Sequence, residues 1–142
     1  MISVYFENTP SFVLGAQDYN PWLTQVCEGH KKELGEVNLI FCSDEYLLKL
    51  NKSHLNHDYY TDIITFGYCE NDRIIGDLFI SVDRVKENAE TFKVGFTNEL
   101  NRVIVHGVLH LIGFGDKSVK ESAEMRLLEN DALSLFVSRE TL

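Results

Sequence analysis

The sequence predicts a single α/β (α+β) domain, with an about four-stranded mixed sheet packed against four or five helices. Three observations predict it. The chain has 142 residues, the size of one domain with room for a real core. Short β-rich runs alternate with stretches of helical periodicity, an order too interspersed for a barrel or sandwich of strands alone. Two of those runs flank a tight turn, which places a hairpin inside an otherwise βαβα order and makes the sheet mixed. No repeat, low-complexity tract or linker divides the chain, so residues 1–142 read as one domain.

Each element has a local cause. Residues 2–7 alternate and read as a strand. Pro21 suits the first turn of a helix over residues 21–34, with Gly35 as its stop. Residues 37–42 are β-rich. Ser43 then caps a helix whose apolar face is Leu47, Leu48 and Leu50 and which ends near residues 51–53. A polar stretch with two histidines covers residues 54–61. Strands over 63–68 and 74–82 flank the turn Glu70-Asn71-Asp72, and a polar helix spans 82–92. Thr97 is a candidate cap for the next helix, whose apolar arc is Leu100, Val103, Ile104, Gly107, Val108 and Leu111. Gly113 and Gly115 break it. Ser118 opens the last helix, with a core face of Met125, Leu128, Ala132, Leu135 and Phe136.

Composition bounds the function. With 44% hydrophobic and 25% charged residues the chain is globular rather than disordered. No apolar run approaches the roughly 20 residues that span a bilayer. The first residues lack the basic flank and apolar stretch of a signal peptide, so the expected location is cytoplasmic, with no membrane partner. Cys27, Cys42 and Cys69 are odd in number, far apart and without a CxxC pair, which predicts reduced thiols. The net charge of −9 argues against free capture of a polyanion.

The informative stretch runs from His106-Gly107-Val108-Leu109-His110 to Gly113-Phe114-Gly115-Asp116. Histidines four apart on a helix lie one turn apart on the same side, so their imidazoles can converge on one ion. Gly113 and Gly115 let the chain reverse, and Asp116 is the next metal-binding group. This is zincin-like HxxxH logic. Three protein ligands leave a fourth position for water, the mark of a catalytic rather than a structural ion. Zinc proteases carry a Glu general base immediately after the first histidine; Gly107 stands there, which argues against a peptidase. Two competing readings are open at this point. An HxxxH pair can be two satisfied core histidines. Two histidines and a carboxylate also describe non-haem iron sites, which usually sit on a jelly-roll sheet absent from this pattern.

At these residues the sequence resembles the YbeY family of metal-dependent endoribonucleases, whose signature is HGxLHLxGYDH. Residues 106–114 follow it closely. Thr61-Asp62-Ile63-Ile64-Thr65-Phe66 resembles the family's TDVLSF strand, and Gly76-Asp77-Leu78-Phe79-Ile80-Ser81 its second strand. Met125 and Glu129 fit the following helix, and the resemblance covers about residues 51–130. It implies one Zn²⁺ per chain, held by His106, His110 and Asp116, where the family has a third histidine. His106 and His110 act catalytically through that ion. It further implies cleavage of single-stranded RNA, maturation of the 16S rRNA 3′ end, a role in ribosome quality control, and the small subunit or its assembly factors as partners. Gly115 stands where the family has Asp, and Leu55 where it has an Arg thought to face the RNA. His54, His57 and Lys52 are the nearby candidates to compensate for that Arg. Asp62 and Asp77, at strand borders, read more readily as turn-capping residues than as groups orienting a ligand histidine. The alternative is a non-catalytic ribosome-assembly factor whose metal is structural.

Overall fold

The computed structural model describes residues 1–10 and 19–140, the last four as backbone only. Strands β1 (Ile2–Glu7), β2 (Glu33–Cys42), β3 (Ile63–Gly67) and β4 (Arg73–Ser81) form one sheet in the order β1-β2-β4-β3. The first two pairings are parallel and β3 runs antiparallel to β4, with Ile63 opposite Ile80 and Gly67 opposite Gly76. Helices α1 (Tyr19–Gly29), α2 (Asp44–Leu55), α3 (Val82–Phe92), α4 (Phe96–Ile112) and α5 (Val119–Glu140) complete the domain. The expected mixed α/β architecture is therefore present, with five helices among the described residues.

Alternation along the strands sends side chains to two layers. On one face, Leu39, Ile74, Leu78 and Ile80 meet Trp22 and Leu23 of α1, Val85 of α3, and Ile104, Val105 and Val108 of α4. On the other, α2 packs Leu47 against Cys42 and Ile64, with Phe66 and Phe79 beside them. Helix α5 is fastened to α1 at Trp22, whose indole N–H donates to Ala132 O at 2.7 Å and whose ring meets Phe136 edge-on at 4.7 Å. Tyr19 ties α1 to α4 by donating its hydroxyl to Asn101 Oδ1 at 2.7 Å.

Three boundaries differ from expectation. Helix α1 stops at Gly29, not near residue 34. The amides of His30 and Lys32 turn back to Cys27 O, Lys31 is left-handed, and Glu33 and Leu34 pair with Arg73 and Ile74 of β4. Sheet pairing overrides local helix preference there. Gly35 is no helix stop but a point of close contact: a Cβ would lie 2.7 Å from Ile74 O, at a register shift in β2. Helix α4 is capped at Gly95 rather than Thr97, with Glu99 N donating to Gly95 O. Helix α2 is capped by Ser43 as expected but continues to Leu55, closed by the left-handed Asn56. The three cysteines are free, Cys27 and Cys42 buried and Cys69 exposed. No helix among the described residues is long and apolar enough to cross a membrane.

Candidate metal centre

Helix α4 buries Ile104, Val105, Val108 and Leu109, so that His106 and His110 emerge from its opposite side. One turn apart, their Nε2 atoms lie 3.0 Å from each other. The helix must end at once to return a third group. Gly113 does this with φ of 125°, a value that side chains rarely adopt, while its N–H and that of Phe114 bond back to the last turn. The chain then reverses, and Asp116 Oδ2 comes to 3.3 Å from both Nε2 atoms.

Asp116 is held in place by the start of α5. Ser122 Oγ donates to its carbonyl at 2.9 Å. Ser118 and Glu121 form a reciprocal capping box, Glu121 N to Ser118 Oγ and Ser118 N to Glu121 Oε1. Glu121 thus caps a helix and is not one of the three converging donors. A Cβ at residue 115 would lie 2.7 Å from its carboxylate, the movable end of an exposed side chain.

A fourth residue completes the site, and nothing in the motif itself points to it. Glu129 of α5 places Oε2 2.6 Å from His106 Nδ1, with its side chain only 7% exposed. Its other oxygen accepts from Arg102 Nη1 at 2.9 Å, and Arg102 Nη2 donates to Asn130 at 3.0 Å. Burial alone would lower the His106 pKa, but the hydrogen bond and charge of Glu129 outweigh it and the net shift is upward. For Glu129 burial pushes upward, yet the bonds from His106 and Arg102 win and hold it below the ordinary value. With Nδ1–H committed to Glu129, a neutral His106 keeps its lone pair on Nε2, the atom facing His110 and Asp116.

The donor set fits a divalent ion. Bonds of about 2.0–2.2 Å in tetrahedral geometry separate ligand atoms by about 3.3 Å, and the three edges here measure 3.0, 3.3 and 3.3 Å. His106, His110 and Asp116 are the one such donor group among the described residues that could hold an ion. Their side chains are 22%, 25% and 40% exposed, so the centre opens to solvent on one side. Gly107 faces the sheet: a Cβ there would lie 2.7 Å from Ile63 and 3.0 Å from Leu78. A glutamate would collide with β3 and β4 rather than reach the three donors.

The remaining candidates stand apart. Asp77 accepts from Asn38 Nδ2 at 2.9 Å across the β2–β4 pair, a sheet contact. Asp62 bonds Ser81 N through its carbonyl and receives Asn88 Nδ2 at 3.5 Å; its carboxyl is near enough to His106 to feel its charge, without a hydrogen bond to it. Leu55 is 41% exposed at the end of α2. Around it, Lys52 pairs with Asp58 at 3.2 Å, His54 contacts Ser53 Oγ at 2.9 Å, and His57 stacks on Tyr59.

Fold and site together define a mixed α/β domain whose HxxxH helix and following aspartate bring three potential metal donors together. A family model described as "Endoribonuclease YbeY" matches residues 6–137, a longer stretch than the motifs alone cover. The chain belongs to the YbeY family. The protein called "Endoribonuclease YbeY" in Phocaeicola vulgatus is 48% identical over 135 residues, which is 95% of this chain and 98% of that one. The protein of the same description in Parabacteroides distasonis is 46% identical over 134 residues, 94% of each. The solution structure of TM1509 from Thermotoga maritima superposes with a TM-score of 0.64 at 26% identity, covering 98% of this chain and 93% of that one.

Proposed function

We propose that the chain is a zinc-dependent endoribonuclease of single-stranded RNA, one hydrolase domain over residues 1–142, with the ion held by His106, His110 and Asp116. The observation that carries this reading is the convergence of three donor atoms on a triangle of zinc-ligand size, with the His106 tautomer set by Glu129. A bound Zn²⁺ would supply a Lewis acid beside the phosphodiester and acidify a water at neutral pH. The side chains do the rest. Glu129 and Arg102 fix the His106 ring, Asp116 offsets one unit of the ion's charge, and the open side admits the RNA backbone. No side chain among the three donors is placed as a general base.

Membership of a family whose relatives carry the name endoribonuclease supports RNA as substrate. We extend the reading to maturation of the 16S rRNA 3′ end and ribosome quality control, in the cytoplasm, with the small subunit or its assembly factors as partners. The net charge of −9 favours RNA presented by a ribosomal particle over RNA captured free in solution. A purely structural ion is the weaker reading, because the donors open to solvent and Gly107 has a packing reason of its own.

Purified protein should cleave a single-stranded RNA only when loaded with metal, and His110→Ala should abolish both bound metal and cleavage. Equal cleavage by His110→Ala would sink the assignment. A folded, metal-free variant that still supports rRNA maturation in cells would instead favour the assembly-factor reading.

A further inference from the structure

Beside His106, a cavity of about 200 Å³, whose lining includes neither His110 nor Asp116, opens to solvent between α3, α4 and α5. An apolar cavity of roughly 150 Å³ already accommodates a benzene ring, so this one has room for a planar heterocycle. Its walls are mixed. Phe92 (54% exposed) and Val103 are apolar; Asp62, Asn88, Glu99 and Arg126 are polar. Glu99 is the anomaly. It is 4% exposed as a residue, no described residue donates a hydrogen bond to its carboxyl, and its oxygens are not fully enclosed but reached from the cavity it lines. Burial pushes its pKa upward, against the opposing charge of Arg102. Glu129, by contrast, is satisfied by His106 and Arg102. An acceptor that no protein donor occupies and that opens to a cavity can take its donor from a ligand.

We propose that this cavity is a nucleobase subsite beside the metal centre, with Phe92 as its stacking face and Glu99 as the acceptor that selects guanine. The proposal rests on the ribonuclease reading above. Single-stranded RNA is read by stacking an unpaired base on an aromatic ring and bonding its Watson–Crick edge. Guanine presents ring N1–H and the exocyclic amino group side by side, a donor pair that one carboxylate accepts. Uracil presents one N–H between two carbonyls, which a carboxylate repels. Because the cavity shares the His106 wall, a base seated there lies next to the phosphodiester exposed to the ion.

The test titrates the full-length zinc-loaded protein with GMP, IMP and UMP, following the Asn88 amide and Phe92 ring signals by NMR. All three carry the same phosphate, so a difference between them reports the base. GMP should shift those signals and bind roughly tenfold more tightly than UMP, with IMP, lacking the amino group, in between. Glu99→Gln should erase the preference at unchanged Tm. Equal affinities for GMP and UMP, or signals at Asn88 and Phe92 that no nucleotide moves, would overturn the subsite and need no variant to fold. Metal-dependent cleavage that persists under that result would leave the ribonuclease reading standing. The stated nucleotide preference in a protein that cleaves no RNA would uphold the cavity and remove the ribonuclease reading.

Discussion

Glu129 Oε2 lies 2.6 Å from His106 Nδ1, across the interface between α5 and α4. A carboxylate so placed orients the ring and raises its basicity toward a metal on the far nitrogen. Glu129→Gln keeps the shape and removes the charge. Zinc affinity should fall by about 10–100-fold, read by competition with a chelator, while circular dichroism stays that of the parent.

The same pair predicts a pH signature in the metal-free protein. His106 is shifted above its ordinary 6.5, so its contribution is complete below that pH and is lost as pH rises through the raised value. Glu129 is shifted below its ordinary 4.5, so its contribution is complete above that pH and is lost as pH falls through the lowered value. The stability difference between the parent chain and Glu129→Gln should therefore be greatest between about pH 4.5 and 6.5 and shrink on both sides. A urea-denaturation series over pH measures it; a difference flat across the range would remove the charge coupling.

Asp116 sits where the family signature has histidine. Asp116→Ala should weaken zinc binding more than Glu129→Gln does, since it removes a donor rather than its support. Asp116→His should retain one zinc per chain in elemental analysis. An Asp116→Ala protein with unchanged affinity would show that the third donor lies elsewhere.

Gly107 allows α4 to approach Ile63 and Leu78. Gly107→Ala should cost about 1–3 kcal/mol through overpacking, offset in part by helix propensity, as measured by the urea midpoint. Gly107→Glu should be worse and confer no peptidase activity.

Thiol chemistry provides a check on packing. Burial pushes the Cys27 thiol up to about 11 and the Cys42 thiol up to about 12, while Cys69 is exposed. At pH 8 a thiolate-specific reagent should titrate Cys69 rapidly in the native protein and all three cysteines after denaturation. Rapid labelling of Cys27 would contradict the fit of α1 against the sheet.

The parts legible in the sequence were those with local causes. The hairpin of β3 and β4 followed from turn residues between alternating runs, and α3 appears over Val82–Phe92 as its polar periodicity predicts. The HxxxH spacing and glycine break anticipated the convergence of His106, His110 and Asp116. What escaped depended on packing between distant elements. The end of α1 is set by pairing of residues 33 and 34 with β4. Glu129 is 23 residues from His106 and meets it where α5 packs on α4, an arrangement to which Arg102 of α4 and Trp22 of α1 both contribute. A signal was nonetheless present: Glu129 lies four residues after Met125 and three before Ala132, a charge within the buried stripe of α5. Charges are seldom fully buried unless paired. Glu99, near the start of α4, carries the same mark.

The three donors span only residues 106–116, so an ion there closes a very short loop. Short-loop closure removes little entropy from an unfolded chain, and the main core of α1, α4 and the sheet is assembled without it. An ion bound there would therefore act as a local clasp rather than a keystone. Chelation should release amide protection over residues 113–118, where the chain reverses at Gly113, and leave the Trp22 environment untouched. On that reading function and foldedness would be separable: the centre could be emptied, reloaded or starved of metal while the domain stayed folded.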